Sequence, residues 1–207
     1  MIIAIESAST DVSIALADPD GELRQVEGWS AGQRQSHQLL PRITALLAAN
    51  DSAIAAVSAL AVGIGPGSFT GLRVGMSVAK GLALALDRPI IGVPSLPAWL
   101  ESEPDAAVAV ARAGARDAYL LRRGTMAPEI VDRDLLGDVN GSFVAPAELI
   151  EAFALTNAVQ PLRAAGAVAR QAARRLREEP AGDDLSRLEP AYLRAPRGVP
   201  QAAAGGS

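Results

Sequence analysis

Between residues 60 and 86, an apolar run meets a glycine-rich turn and then a long apolar helical pattern. The run is Leu60-Ala61-Val62-Gly63-Ile64, the turn is Gly65-Pro66-Gly67-Ser68-Phe69-Thr70-Gly71, and the pattern ends near Leu86. A buried strand that turns sharply into a helix is half of a crossover unit, which demands a sheet with parallel strands and covering helices. Such a turn can aim backbone N–H groups and a helix N-terminus at a phosphate. The spacing departs from the known phosphate loops, however. Gly71 is followed by Leu72-Arg73 where a P-loop needs Lys and Ser/Thr, and glycines at 63, 65, 67 and 71 do not spell G-x-G-x-x-G. Spacing therefore favours a tight turn, with Ser68 capping a helix that starts near Phe69.

That helix carries Gly67, Gly71, Gly75, Ala79 and Ala83 at every fourth position, a ridge without side-chain bulk. A smooth ridge admits a closely packed neighbour, either the chain's own sheet or a helix of another subunit. Leu72, Val74, Val78 and Leu82 lie elsewhere around the helix and could supply the sheet-facing side, so both readings stand.

Upstream, residues 2–6, 12–17 and 22–29 read as three antiparallel strands, the second and third joined by the turn Asp18-Pro19-Asp20-Gly21. A helix spans about Gln35 to Ala49, with Pro41 inside it as a source of kinking. Residues 90–93 form the next strand. The order βββαβαβ is the ribonuclease-H-like layout of actin-like phosphotransferases. The second half repeats it more faintly, with strands at 106–111, 117–122 and 126–131 and helices at 147–154 and 164–178. Pro94, Pro97 and Pro104 punctuate the join. The expected architecture is thus α/β, two ribonuclease-H-like (actin-like ATPase, ASKHA) lobes in tandem, the second degenerate. Its parts are a first lobe at 1–95, a reduced lobe at 96–194 and a disordered tail at 195–207.

Composition narrows the chemistry. Of 207 residues 49% are hydrophobic but only 3% aromatic, so the core is aliphatic and rich in alanine. No cysteine is present and His37 is the only histidine, which removes thiolate nucleophiles, Cys-based metal sites and multi-His clusters. A net charge of -4 argues against a large autonomous nucleic-acid-binding face. No uninterrupted apolar run reaches the roughly 18 residues of a membrane span, and Met1-Ile2-Ile3-Ala4 lacks a basic leader region. A cytoplasmic location without membrane association is expected.

Glu6-Ser7-Ala8-Ser9-Thr10 occupies the place of an actin-like ATPase's first phosphate loop, but without its glycine. An acid there would position Mg²⁺ or water; the bland alternative is a solvated strand end with its hydroxyls satisfying the turn. His37 has no nucleophile to activate and suits a structural or interface role. Arg170, Arg174, Arg175 and Arg177 read as a solvated helix face.

These residues together form a recognisable set. Ile3-Ala4-Ile5-Glu6-Ser7-Ala8-Ser9 resembles the start of the bacterial TsaB (YeaZ) family, and Ser36-His37-Gln38-Leu39-Leu40-Pro41 resembles its H-x-x-x-L-P helix. Residues 65–75 match its G-P-G-S-F-T-G-L/V-R-I/V-G signature, and Glu189-Pro190-Ala191-Tyr192-Leu193-Arg194 matches its E-P-x-Y-L-R terminus. The family's D-A-R-x-x-E-V-Y segment is only partly kept in Arg112-Ala113-Gly114-Ala115-Arg116-Asp117-Ala118-Tyr119, where Arg112 replaces the Asp and Gly114 the Arg.

The resemblance implies a non-catalytic subunit in the synthesis of N6-threonylcarbamoyladenosine beside the tRNA anticodon. It would pair with and activate a TsaD-type catalytic subunit, with a TsaE-type ATPase, and would meet tRNA only in that complex. TsaD-type subunits bind metal through an H-x-x-x-H pair that this chain lacks, so no metal and no catalytic residue is assigned. No cofactor is expected, nucleotide at the junction with partner subunits staying open. The implied interface comprises His37, Leu40, Gly67, Phe69, Gly71, Leu72, Arg73, Gly75, Met76, Ala79 and Lys80; Glu6, Ser7, Ser9 and Thr10 form a vestigial phosphate loop. A residual nucleotide phosphohydrolase and a self-associating structural protein, homodimeric through the same helices, are the alternatives.

Overall fold

The computed structural model describes residues 1–191, apart from Gln33, Ala115 and the side chain of Arg133. Five strands form the first sheet: β1 (Ile2–Glu6), β2 (Asp11–Ala17), β3 (Leu23–Ser30), β4 (Ala59–Gly65) and β5 (Ile90–Pro94). Their order is β3-β2-β1-β4-β5, with β2 antiparallel to both β1 and β3, and β4 and β5 running parallel to β1. The second sheet holds β6 (Val108–Arg112), β7 (Asp117–Arg122), β8 (Glu129–Asp132), β9 (Phe143–Val144) and β10 (Ala158–Val159). There β6 takes the place of β1 and the order is β8-β7-β6-β9-β10, with the same sense at every step. The ribonuclease-H-like topology is therefore laid down twice.

Alternation along the strands explains how the first sheet is covered. Ile3, Ile5, Ile14, Leu16, Leu60 and Val62 point to one face, where α1 (Gln35–Ala49) and α2 (Phe69–Leu86) lie. Ala4, Ala15, Ala17, Ala59 and Ala61 point to the other, against Ala98 of α3 (Ser95–Ser102) and the alanines of α5 (Ala164–Glu178). Small residues on both sides let α5 lie close to the strands. At Gly166 a Cβ would meet Leu23 at 2.9 Å, and at Gly28 it would stand 2.0 Å from the Leu162 carbonyl oxygen. Burial on both faces is why β1 and β2 are wholly buried. α4 (Ala147–Ala152) covers the second sheet, with Leu149 in its core.

Two expectations change, while α1 keeps its expected span. The prolines at the join do not break the chain: Pro97 sits in the first turn of α3, where no backbone N–H is needed, so a helix forms where punctuation is expected. α5 belongs in space to the first sheet although its sequence lies in the stretch expected to form the second lobe. Pro41 leaves α1 unbroken from Gln35 to Ala49. The expected tail at 195–207 lies outside the described residues, as do Tyr192, Leu193 and Arg194.

By length and average hydropathy α2 could cross a membrane. Arg73 and Lys80 interrupt its apolar run, and its inner arc is packed on the sheet.

Residues after α5 return along the β5 edge. The Asp183 amide donates to the Ile90 carbonyl (2.8 Å), its carboxylate accepts from the Gly92 amide (2.7 Å) and pairs with Arg175 (2.6 Å). The Ala191 amide donates to the Ile64 carbonyl at 2.7 Å. The Glu189-Pro190-Ala191 stretch thus meets the chain just before the glycine-rich turn.

Candidate functional site: the first hairpin and the outer face of the long helix

Gly65, Ser68 and Gly71 of the glycine-rich turn, and Leu72 just after it, spend their amides within the fold. Gly65 N–H donates to Ser95 Oγ (3.0 Å), Ser68 N–H to the Ala8 carbonyl (2.6 Å), Gly71 N–H to Ser68 Oγ (3.2 Å) and Leu72 N–H to the Ser68 carbonyl (2.9 Å). Ser68 is the helix cap that the spacing suggests. Donors used in this way are not offered to a phosphate.

The smooth ridge is turned inward. A Cβ on Gly67 would stand 2.2 Å from the Ala8 carbonyl oxygen, on Gly71 2.1 Å from that of Ser7, and on Gly75 2.1 Å from Ser7 Oγ. Ser7 Oγ–H donates to the Gly71 carbonyl at 2.9 Å. The glycines are thus required by the β1–β2 loop of the same chain. Ala79 and Ala83 continue the contact onto the sheet. Leu72 is buried in the cluster between the two sheets and Met76 in the first-sheet core. Gly67, Gly71, Leu72, Gly75, Met76 and Ala79 are therefore packing residues of this chain, contrary to the expected interface.

Rotating round α2 brings up a different surface. Phe69, Arg73, Ser77, Gly81 and Leu84 recur at three- and four-residue intervals and are exposed, with half-buried Lys80 on the same arc. Leu84 is 74% exposed and Phe69 40%, and the Arg73 guanidinium lies 3.9 Å from the Phe69 ring centroid. On the neighbouring α1, His37 is exposed and Leu40 is 48% exposed. Four expected interface residues, His37, Leu40, Phe69 and Arg73, thus do face outward. Leu84 escaped the sequence reading because it adjoins Ala83; the spacing from Phe69 through Arg73, Ser77 and Lys80 is the signal that would have found it.

The β1–β2 hairpin is the other candidate. Glu6 is 0% exposed. Its Oε1 accepts the Ala8 amide at 2.7 Å, and its Oε2 lies where a Cβ on Gly63 would stand 2.1 Å away. Burial pushes the carboxyl up to about 7, against the pull of donors from Ala8, Ser95, Trp99 and Ser7. So deep a carboxyl is not presented to an ion at the hairpin's mouth. Ser9 Oγ accepts the Asp11 amide (3.1 Å), and Gln35 donates to the Ser9 carbonyl (2.5 Å).

Thr10 and Asp11 reach across to the second sheet's helix. Thr10 Oγ1 donates to Glu148. Asp11 accepts from Ser30 Oγ (2.5 Å) with one oxygen and from the Ala147 amide (2.8 Å) with the other. Pro146 at the N-cap of α4 has no side-chain acceptor, so Asp11 caps that helix from the other sheet. Asp11 and Gly63 carry no sequence signal for these roles. Among the described residues no group of three or more His, Asp or Glu side chains is placed to hold a metal.

Doubled ribonuclease-H-like topology defines an actin-like α/β protein, here with Ser7, Ser9, Thr10 and Asp11 of the hairpin bonded within the chain. A family model described as TsaD: tRNA N6-adenosine threonylcarbamoyltransferase matches residues 30–152. The tRNA threonylcarbamoyladenosine biosynthesis protein TsaB of Escherichia coli (strain K12) is 37% identical over 95 residues, 46% of this chain and 40% of that protein. The tRNA N6-adenosine threonylcarbamoyltransferase of Solidesulfovibrio magneticus is 44% identical over 70 residues, 34% of this chain and 19% of that one. The alignments thus span less than half the length of these curated relatives. YeaZ from Pseudomonas aeruginosa shares the fold, with a TM-score of 0.70 at 22% identity over 93% of this chain and 99% of that one. The family model spans more than half of the chain, which belongs to that family and is similar within it to the TsaB/YeaZ proteins.

Proposed function

We propose that this chain is a non-catalytic partner subunit in the synthesis of N6-threonylcarbamoyladenosine on tRNA, pairing with a TsaD-type catalytic subunit and activating it. The observation that carries the reading is the outer arc of α2, where Phe69, Arg73 and Leu84 stand exposed, with Leu40 and His37 exposed on α1, the helix packed against it. Exposed apolar side chains gathered on adjoining helices suit a helix-on-helix contact with a related subunit. A TsaE-type ATPase and tRNA join only in the assembled complex, in keeping with a net charge of -4. The second sheet, whose β9 and β10 have two residues each, is the reduced half. The protein works in the cytoplasm and away from membranes. Nucleotide, if held, sits at the junction between subunits. Co-purification with a tagged TsaD-type subunit is the test.

Self-association through the same arc is the competing reading, and it differs in outcome: the isolated chain would run as a dimer and would not take up TsaD. As for a residual phosphohydrolase, the buried Glu6 and the internally bonded hairpin argue against it. Purified chain is expected to show no appreciable Mg-ATP turnover. Robust turnover that disappears in Glu6→Ala would make it an enzyme instead.

A further inference from the structure

Neither α1 nor α2 contains an aspartate or glutamate, in a chain that has 23 of them against 19 lysines and arginines. The lysine and arginine side chains of the two helices and their N-caps are Arg34, Arg42, Arg73 and Lys80. The net charge of -4 therefore comes wholly from the rest of the chain, and this pair of helices has the opposite sign.

Solvation alone does not account for such a face. A solvated helix face normally mixes both signs, as on α5, where Arg174, Arg177 and Glu178 are exposed. On α1 and α2 the exposed positions include Leu40, Pro41, Phe69, Ser77 and Leu84, and Arg73 is the one exposed lysine or arginine within them. Its guanidinium lies across the Phe69 ring, which sets a cation beside the apolar centre. Acids lie only at the margins of the two helices. Glu27 of β3 holds Arg42, Asp184 of the segment after α5 lies near Lys80, and Asp51 and Asp87 follow the C-terminal ends of α1 and α2.

We propose that this face is built for an acidic surface, one whose carboxylates surround an apolar centre, and that the sign of charge selects the partner. The proposal rests on the reading of the outer arc of α2 as the partner surface, and it adds the chemistry of what docks there. Leu40, Phe69 and Leu84 supply the area to be buried, while the cations around them act before contact. Charges at the rim of an interface govern the rate of approach and the rejection of wrong partners more than the final affinity. A TsaD-type subunit with an acidic face is drawn in. A second copy of this chain brings the same cations and no carboxylate from either helix, so it is the poorer occupant.

Ser77 is the position that tests the sign, because it is exposed and lies one helical turn from both Arg73 and Lys80. Ser77→Glu and Ser77→Lys both add a long side chain and differ in charge. Their association with a purified TsaD-type subunit is followed beside that of the native chain, at about 50 mM and about 500 mM salt. At low salt Ser77→Lys should associate about tenfold faster than Ser77→Glu, with the native chain between them and dissociation little changed. At high salt the three rates should converge. Equal rates at low salt, or the reverse order, would overturn the acidic surface while native binding keeps the partner reading intact. Absence of native binding would remove the partner reading and this proposal with it. An isolated chain that sediments as a dimer, held by Ser77→Glu and parted by Ser77→Lys, would make a second copy the occupant and overturn the proposal too. If either variant melts early, Lys80→Gln replaces the pair: slower association than native at low salt supports the proposal, and an unchanged rate counts against it.

Discussion

Gly75→Leu is expected to destabilise the isolated chain by about 2–3 kcal/mol or more, because even its Cβ would stand 2.1 Å from Ser7 Oγ and 3.4 Å from Ile5. Overpacking a closed site costs about 1–3 kcal/mol, with larger values where backbone must shift. Replacing a helical glycine returns about 1 kcal/mol of helix propensity, which does not offset the clash. For a chain of this size each kcal/mol lowers Tm by roughly 2–4 °C, so a drop of about 5–10 °C is expected. Ser7 would have to give up its bond to the Gly71 carbonyl, loosening the hairpin against α2. Thermal melting of the purified variant decides: an unchanged Tm would mean that the ridge faces outward after all.

Asp11→Ala is expected to cost about 2 kcal/mol and to loosen one lobe more than the other. The substitution strips the Ala147 amide of its acceptor, and an orphaned buried donor costs roughly 1–3 kcal/mol. Ser30 loses a partner too, but it is exposed and can turn to water. The loss falls on the start of α4, which no other side chain caps. Amide exchange over residues 147–152 should accelerate, while exchange in β1 and β4 keeps its protection. Asp11→Asn retains an acceptor and should recover part of the loss. Equal acceleration across both sheets, or none at α4, would contradict a cross-lobe cap.

Strand order was largely legible because residues 2–6 are a short apolar run, residues 12–17 and 22–29 alternate, and the turn at Asp18–Gly21 has a definite mechanism. The first seven elements follow from it. Less legible was what lies against what. Glycine and alanine at every fourth position announce close approach but not the approaching partner, and here the glycines meet the chain's own Ser7 and Ala8. Pro97 hid α3, since a proline permitted in a first turn looks in sequence like one that ends a helix. The alanines of α5 gave its helical period but not the sheet it covers, which depends on the matching alanines of β1, β2 and β4. Glu6 read as a solvated strand end or an ion ligand; it is fully buried, with its Oε2 against Gly63 of β4, more than 50 positions along the chain.

The most direct test of a partner role is titration of the chain and of Leu84→Arg into a purified TsaD-type subunit, each protein's melting being recorded in parallel. Leu84 is 74% exposed, so the substitution should leave Tm within about 1 °C, the usual reach of a surface change. Burying a leucine contributes roughly 1.5–3 kcal/mol, and 1.4 kcal/mol is tenfold in affinity. Native chain should therefore form a stable pair, and Leu84→Arg should bind about ten- to a hundredfold more weakly. Failure of the native chain to bind, or equal binding by Leu84→Arg, would contradict the assignment of α2's outer arc as the partner surface.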